Sequence, residues 1–183
     1  MCEPVVYFFE DTKPYGQLSN FWPLTRPMRM HGREFATSEH AYQASKYIYA
    51  GAPAANDAYV TAIARAKTPF VAKFLGNQWL LSRYQWQMDI AGRVRDHRAR
   101  GVRARPNWDD SRDEAMRAVL LAKFQQDEAC RKVLLNTRGS LLVEASTDAY
   151  WGNGARSDGE LGHNRLGMLL MEVREELAEA EKK

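Results

Sequence analysis

The stretch Thr37-Ser38-Glu39-His40-Ala41-Tyr42-Gln43-Ala44-Ser45-Lys46 constrains the fold more than any other part of this chain. Wound as a helix, it puts Ala41, Ala44, Ser45 and Ile48 at i, i+3, i+4 and i+7. That is a stripe of small residues, against which another element can pack closely. Glu39, Gln43 and Lys46 fall on the opposite side, within about 60° of one another at ~100° per residue. A carboxylate, an amide and an amine thus share one column. The column can be a rigid mount for acid–base and nucleophilic groups, or an ordinary solvated face. On spacing alone the solvated face is favoured, because an isolated pattern of this kind is weak evidence.

The other periodicities sketch an α+β chain in which helices dominate. Val5 to Phe9 is apolar and β-prone, and a turn follows at Pro14-Tyr15-Gly16. Met28–Met30, His31-Gly32 and Arg33–Phe35 read as a hairpin, with Gly32 at a permissive turn position. Ser38 suits the N-cap of the helix above, which should run to about Ala50. Further helices are expected over Ala54–Lys67, over Pro69–Leu75 with Gly76 closing it, and near 82–98. Ser111 and Glu114 have the form of a capping box, opening a helix that ends near Gln126. A shorter helix, Ala129–Leu135, and a strand, Leu141–Glu144, come next. Asp148 to Gly162 is a loop with four glycines. Asn164 can then cap a final amphipathic helix to about Glu179, with Leu166, Leu169, Leu170, Val173 and Leu177 on its apolar face.

With 183 residues, one domain with a single core is expected, carrying a basic insertion near 77–104. Hydrophobic residues at 45% and charged residues at 27% suit a soluble globular protein. No apolar run approaches the ~20 residues of a membrane span. No secretory signal is visible at the N-terminus, so cytoplasm, or nucleus in a eukaryote, is the expectation. Cys2 and Cys130 make no disulfide framework, and His31, His40, His97 and His163 are scattered, so no metal and no cofactor is expected. The net charge is only +3, but Arg93, Arg95, Arg98, Arg100, Arg103 and Arg105 crowd one segment against a single acid, Asp96. Such a patch suits phosphates; a plain solvated surface is the blander account.

Three more segments are costly if merely structural. The first, Gly16–Trp22, is a polar turn with aromatics and contains Asn20 and Phe21. In the second, Arg105-Pro106-Asn107-Trp108-Asp109, the Arg105 guanidinium beside the Trp108 plane would suit a nucleotide. The third, Asp148-Ala149-Tyr150-Trp151-Gly152-Asn153-Gly154, leads through Gly159 and Gly162 to Asn164 and a helix start. Glycine-rich backbone and a helix N-terminus together favour anions such as phosphate. Trp151 could stack on a base, and Asp148 could hold ribose hydroxyls or exchange protons. Simple turns around a core tryptophan would explain the same residues equally well. The loop is neither a P-loop nor a dinucleotide fingerprint.

LSNF at 18–21, TSEHAYQASK at 37–46, RPNWD at 105–109, KF at 123–124, LVE at 142–144, DAYWGNG at 148–154 and GHNRLG at 162–167 occur in this order. In these blocks, from about Tyr7 to about Leu177, the chain resembles the YbiA-like, or NADAR, domain family. The resemblance implies a single compact, mainly helical α+β domain with a few short strands. It implies an N-glycosidase acting on ribosyl–nitrogen bonds. Two substrate groups go with the family: phosphorylated early intermediates of riboflavin synthesis, and ADP-ribose attached to guanine in nucleic acid. By resemblance Glu39, Trp108 and Asp148 stand at activity-linked positions, and Lys46 at the lysine proposed to attack the ribose anomeric carbon. Asn20, Phe21, Arg105, Tyr150, Trp151, Gly152 and Asn164 join Trp108 as the expected substrate-binding set. The chain departs from the family in a longer Asn77–Val102 segment and in Phe35 where a tryptophan is usual.

Two mechanisms remain open. Glu39 and Asp148 could act as an acid and base pair. Alternatively Lys46, once neutral, could form a Schiff base at C1, and this route is preferred. Burial or a cationic neighbour would help Lys46 lose its proton, and an ionised Glu39 would oppose that. The leading expectation is a hydrolase of ADP-ribosylated guanine, with an ADP-ribose-containing substrate, nucleic acid (DNA first) as its carrier and no membrane partner. A hydrolase of riboflavin-pathway intermediates and a non-catalytic ADP-ribose reader are the alternatives.

Overall fold

A computed structural model describes residues 4–9, 14–77, 88–154, 156 and 158–182. Among these are seven α-helices and four short strands. The chain forms two packed units: Pro27–Ala115, and a second built from Met1–Arg26 with Met116–Lys183.

Strand β1 (Val5–Phe8) belongs to the unit of the chain ends, and the unit 27–115 opens with β2 (Met28–Met30) and β3 (Arg33–Phe35). They pair as the expected antiparallel hairpin, Met28 opposite Phe35 and Met30 opposite Arg33. His31 and Gly32 both have positive φ, 52° and 70°, as a two-residue primed turn requires. Helix α1 (Ser38–Ser45) packs against α2 (Ala55–Ala64) and α3 (Pro69–Gly76), and α3 packs against α4 (Met88–Ala99). Thr68 caps α3 and Pro69 occupies its first turn. The residues 82–87, expected to begin the next helix, lie outside the described residues.

In the unit of the two chain ends, β1 runs parallel to β4 (Leu141–Glu144), Val5 opposite Leu141 and Phe8 opposite Glu144. Val6 and Phe8 point inward, while Val5 and Tyr7 are exposed. Helix α7 (Arg165–Ala180) covers β4 so closely that a Cβ at Gly167 would overlap the carbonyl oxygen of Leu142. Helix α6 (Glu128–Asn136), capped by Asp127, packs against α7 and the 3₁₀ turn Gly16–Leu18. Helix α5 (Trp108–Gln126) starts in one unit and ends in the other. No helix among the described residues is long and apolar enough to cross a membrane.

Three expected boundaries are corrected. Helix α1 stops at Ser45, not near Ala50, because the carbonyls of the next turn are taken elsewhere: Lys46 O accepts from Arg105 N at 2.7 Å, and Tyr47 O from Asn56 Nδ2 at 2.9 Å. Helix α5 begins at Trp108, so Ser111 lies inside it and forms no capping box. Asn107, with φ 52°, turns the chain into that start, and Asp109 and Asp110 complement the helix dipole there. Asn164 precedes α7, but in a left-handed conformation (φ 49°) and with no side-chain cap. Its amide instead joins β4, with Oδ1 accepting from Glu144 N at 2.9 Å and Nδ2 donating to Leu142 O at 2.8 Å.

Candidate active site

Thr37, not Ser38, caps α1: its hydroxyl oxygen accepts from the backbone N–H of His40. The same oxygen lies 2.8 Å from His40 Nδ1, and His40 Nε2 lies 3.1 Å from the carbonyl of Ala66. A carbonyl only accepts, so Nε2 carries the proton and Nδ1 takes the threonine O–H. Burial holds the His40 pKa below its ordinary value, and the Ala66 hydrogen bond only partly offsets that. His40 therefore works as a neutral brace for the helix start.

All eight residues of α1 are buried. This overturns the solvated-face reading of the Glu39–Gln43–Lys46 column. Glu39 is only 5% exposed and Gln43 3%. Such a helix, enclosed on every side, keeps its polar groups only where they have partners or work to do.

Lys46 follows the last residue of α1. Its Nζ donates to the carbonyl of Gly76, at the end of α3, at 3.1 Å. It also sits 5.5 Å from the Tyr42 ring centre and 5.8 Å from that of Trp108, whose rings meet at 5.5 Å and 54°. Burial brings the amine down to about 8; Glu39 and Asp109 pull it up, and Lys73 pushes it further down. The cation over Trp108 is therefore Lys46 and not Arg105, among the described residues. Arg105 contributes its backbone N–H, which holds the Lys46 carbonyl. Glu39 Oε1 accepts from Gln43 Nε2 at 2.8 Å. Glu39, Lys46, Arg105 and Trp108 thus belong to the unit 27–115.

The remaining expected site residues belong to the other unit. Asn20 is buried; its Nδ2 donates to Met116 Sδ at 3.4 Å, and its Oδ1 has no partner among the described residues. The Phe21 N–H donates to Ser19 Oγ. Asp148 is exposed, and its Oδ1 accepts from the N–H groups of Tyr150 and Trp151, both at 2.8 Å. The two half-buried rings meet edge to face with centres 5.0 Å apart.

Among the described residues, the backbone N–H groups that lead into α7 are not open to an anion. The N–H groups of His163, Asn164, Arg165 and Leu166 donate to the carbonyls of Ala149, Gly152, Tyr150 and Trp151. These four donors are thus used by the loop itself. Gly154 and Gly162 are required because a Cβ at each would overlap neighbouring backbone, and a Cβ at Gly152 would meet the Ser146 hydroxyl and the Glu144 carbonyl. The described part of the loop is a hydrogen-bonded turn in front of α7, with Trp151 half-buried rather than in the core.

The NADAR domain pattern matches residues 7–178. The chain belongs to the NADAR family. It is 34% identical over 181 residues to the N-glycosidase YbiA of Escherichia coli, which spans 97% of this chain and 91% of YbiA. It is 36% identical over 173 residues to an N-glycosidase of Nostoc punctiforme, covering 94% and 92% of the two. The NMR structure of Escherichia coli YbiA is similar with a TM-score of 0.69 at 34% identity, over 100% of this chain and 90% of that one. A Vibrio vulnificus riboflavin biosynthesis protein is 34% identical over 181 residues, which are 98% of this chain but 40% of its own length. The α+β, mainly helical NADAR fold agrees with YbiA, and the names of the relatives of similar length support a glycosidase activity.

Sequence reasoning missed three neighbours of Lys46 in this NADAR protein: Tyr42, Lys73 and Gly76. Tyr42 was legible, four residues before Lys46 and so on the same helical face. Lys73 and Gly76 come from another helix and left no local signal. The arginine segment is as basic in space as in sequence. Arg93, Arg95, Arg98, Arg100 and Arg103 are exposed, and none makes an ion pair among the described residues. Ile90, Val94 and Val102 anchor that segment in its unit.

Proposed function

We propose that this protein is an N-glycosidase that cleaves the bond between a ribose C1 and a base nitrogen. Its preferred substrate is ADP-ribose attached to guanine in nucleic acid. One observation carries the reading: Lys46 is half-buried beside two aromatic faces, with a proton affinity low enough to supply neutral amine near physiological pH. An exposed lysine offers almost no free base there, whereas a pKa of about 8 leaves roughly a tenth of the molecules reactive at pH 7.

The Nζ lone pair forms a bond to C1 while the C1–base nitrogen bond breaks. The departing nitrogen takes its electron pair and is protonated by a general acid. Opening of the sugar ring releases the ring oxygen as a hydroxyl and leaves a protonated imine between C1 and Nζ. Water adds to C1, the C–N bond breaks, and Lys46 is regenerated as the sugar recloses. The net change is addition of one water across the ribosyl–nitrogen bond. The faces of Tyr42 and Trp108 favour positive charge near Nζ and so stabilise the iminium. The five exposed arginines of the same unit, which make no ion pair among the described residues, support a polyanionic carrier over a free small molecule.

An oligonucleotide bearing one ADP-ribosylated guanine tests this directly. Release of ADP-ribose is expected, and borohydride added during turnover should leave a covalent adduct on Lys46, read by peptide mass spectrometry. Turnover by Lys46→Ala at the wild-type rate, or release with no adduct, removes the lysine route. Cleavage of phosphorylated riboflavin-pathway intermediates with the oligonucleotide left intact would overturn the substrate assignment but keep the bond class.

A further inference from the structure

An amine that must lose a proton is poorly served by a carboxylate in the same helical column. Glu39 is the strongest of the charged neighbours holding the proton on Lys46. The default outcome for such a pair in a buried setting is an ion pair, which fixes the amine in its charged form. Yet Lys46 makes no ion pair among the described residues, and its hydrogen bond goes to a neutral carbonyl.

Gln43 stands between the two. Its Nε2 donates to Glu39 Oε1 at 2.8 Å, while its own Oε1 is buried with no partner among the described residues. A buried amide that satisfies one end and starves the other is a poor choice for stability alone. The end of α3 is shaped around it: a Cβ on Gly76 would overlap the Gln43 side chain, and the Gly76 carbonyl receives Lys46. One glycine therefore seats both the amide and the amine.

We infer that Gln43 is a positioning residue that tethers the Glu39 carboxylate along the helix and keeps it from pairing with Lys46, so that the amine can shed its proton. The inference rests on Lys46 acting as the nucleophile. Among the described residues, the groups that act on the amine are Glu39 and Tyr42 from α1, Lys73 from α3 and Asp109 from α5, and none of them comes from α2 or β3. Burial sets the direction of the shift, and Glu39 is the largest of the charge effects that oppose it.

The test follows Lys46 without substrate, by NMR titration of protein carrying [13C]lysine, with the resonance assigned by its loss in Lys46→Met. Wild type should titrate near 8. Gln43→Leu frees the carboxylate and should raise the midpoint by at least about one pH unit, which lowers kcat at pH 7 about tenfold while KM holds. Gly76→Ala, which displaces the Gln43 side chain, should shift it the same way, and serves if Gln43→Leu does not fold. In a Glu39→Gln background Gln43→Leu should have no further effect. A midpoint unmoved by Gln43→Leu and Gly76→Ala, or moved as far without Glu39, overturns the tether. If the titrations respond as expected but the oligonucleotide is never cleaved, the proposed function falls and the tether stands. If cleavage proceeds while the titrations do not respond, the tether alone falls.

Discussion

Lys46 and Lys123 are alike at first sight. Each is a lysine that burial brings down to about 8, and each donates to a main-chain carbonyl, Gly76 for one and Ser19 for the other. Their surroundings differ. Lys123 is fully enclosed, 0% exposed, with Phe124 beside it and a 2.8 Å bond that pins the turn carrying Asn20 and Phe21. Its nearest titratable groups are committed. The Cys130 thiol is pushed up to about 12 by burial. Asp127 is raised by burial but held low overall by the N–H groups of Cys130 and Thr25. Lys46 keeps partial exposure, two ring faces and a tethered carboxylate. A lowered proton affinity is common to a structural strut and a reactive amine; what separates them is access and the company of groups that can stabilise a reaction.

The contrast breaks most visibly in turnover. Lys46→Met should lower kcat/KM on the ADP-ribosylated oligonucleotide by at least about a thousandfold with little change in thermal midpoint. Lys123→Met should change it by less than about threefold, because the thioether fills the same space without a buried charge. Equal losses would mean that both lysines serve only the fold.

The pH response is next in size. kcat/KM should rise about tenfold per unit up to about pH 8 and then level off, as Lys46 sheds its proton. Stability moves in a different window. Both lysines have folded values near 8 against an ordinary 10.5, so between those pH values the unfolded chain binds the extra protons. Urea unfolding should therefore show stability rising from pH 8 to 10.5, by up to about 3 kcal/mol per lysine. Lys123→Met should remove its share of that rise and leave the pH–rate curve in place.

The smallest effect sharpens the comparison at the surface. Neutralising Arg98, Arg100 and Arg103 together should flatten the slope of log kcat/KM against log salt by about 2, at ~0.7 per lost phosphate contact on a single strand. An unchanged slope would mean that the arginines do not meet the carrier.

What could be read in the sequence was what short-range chemistry decides. The 28–35 hairpin, the Pro69 start of α3 and the β4 segment were legible because turn residues, a fixed proline φ and β-prone side chains act locally. The early end of α1 was not, since Arg105 and Asn56 reach its last carbonyls from far along the chain. Ser111 misled because a capping-box pattern carries no sign of whether the helix has already begun. The glycine loop left two accounts open for a related reason: glycines that admit a phosphate and glycines that admit neighbouring backbone look alike until hydrogen-bond partners are known. At the site, the column of Glu39, Gln43 and Lys46 was visible in the spacing, but its burial was not. That depends on helices arriving from other parts of the chain.

The neutral brace at His40 sets an acid limit on this protein. Its folded pKa lies below the ordinary 6.5, so as pH falls through 6.5 the unfolded chain gains a proton that the folded one refuses. Protonation would also turn Nδ1 from an acceptor of the Thr37 hydroxyl into a competing donor. Souring the medium should thus loosen first the front of the very rod that carries the reactive column, and activity lost in mild acid should return on neutralisation.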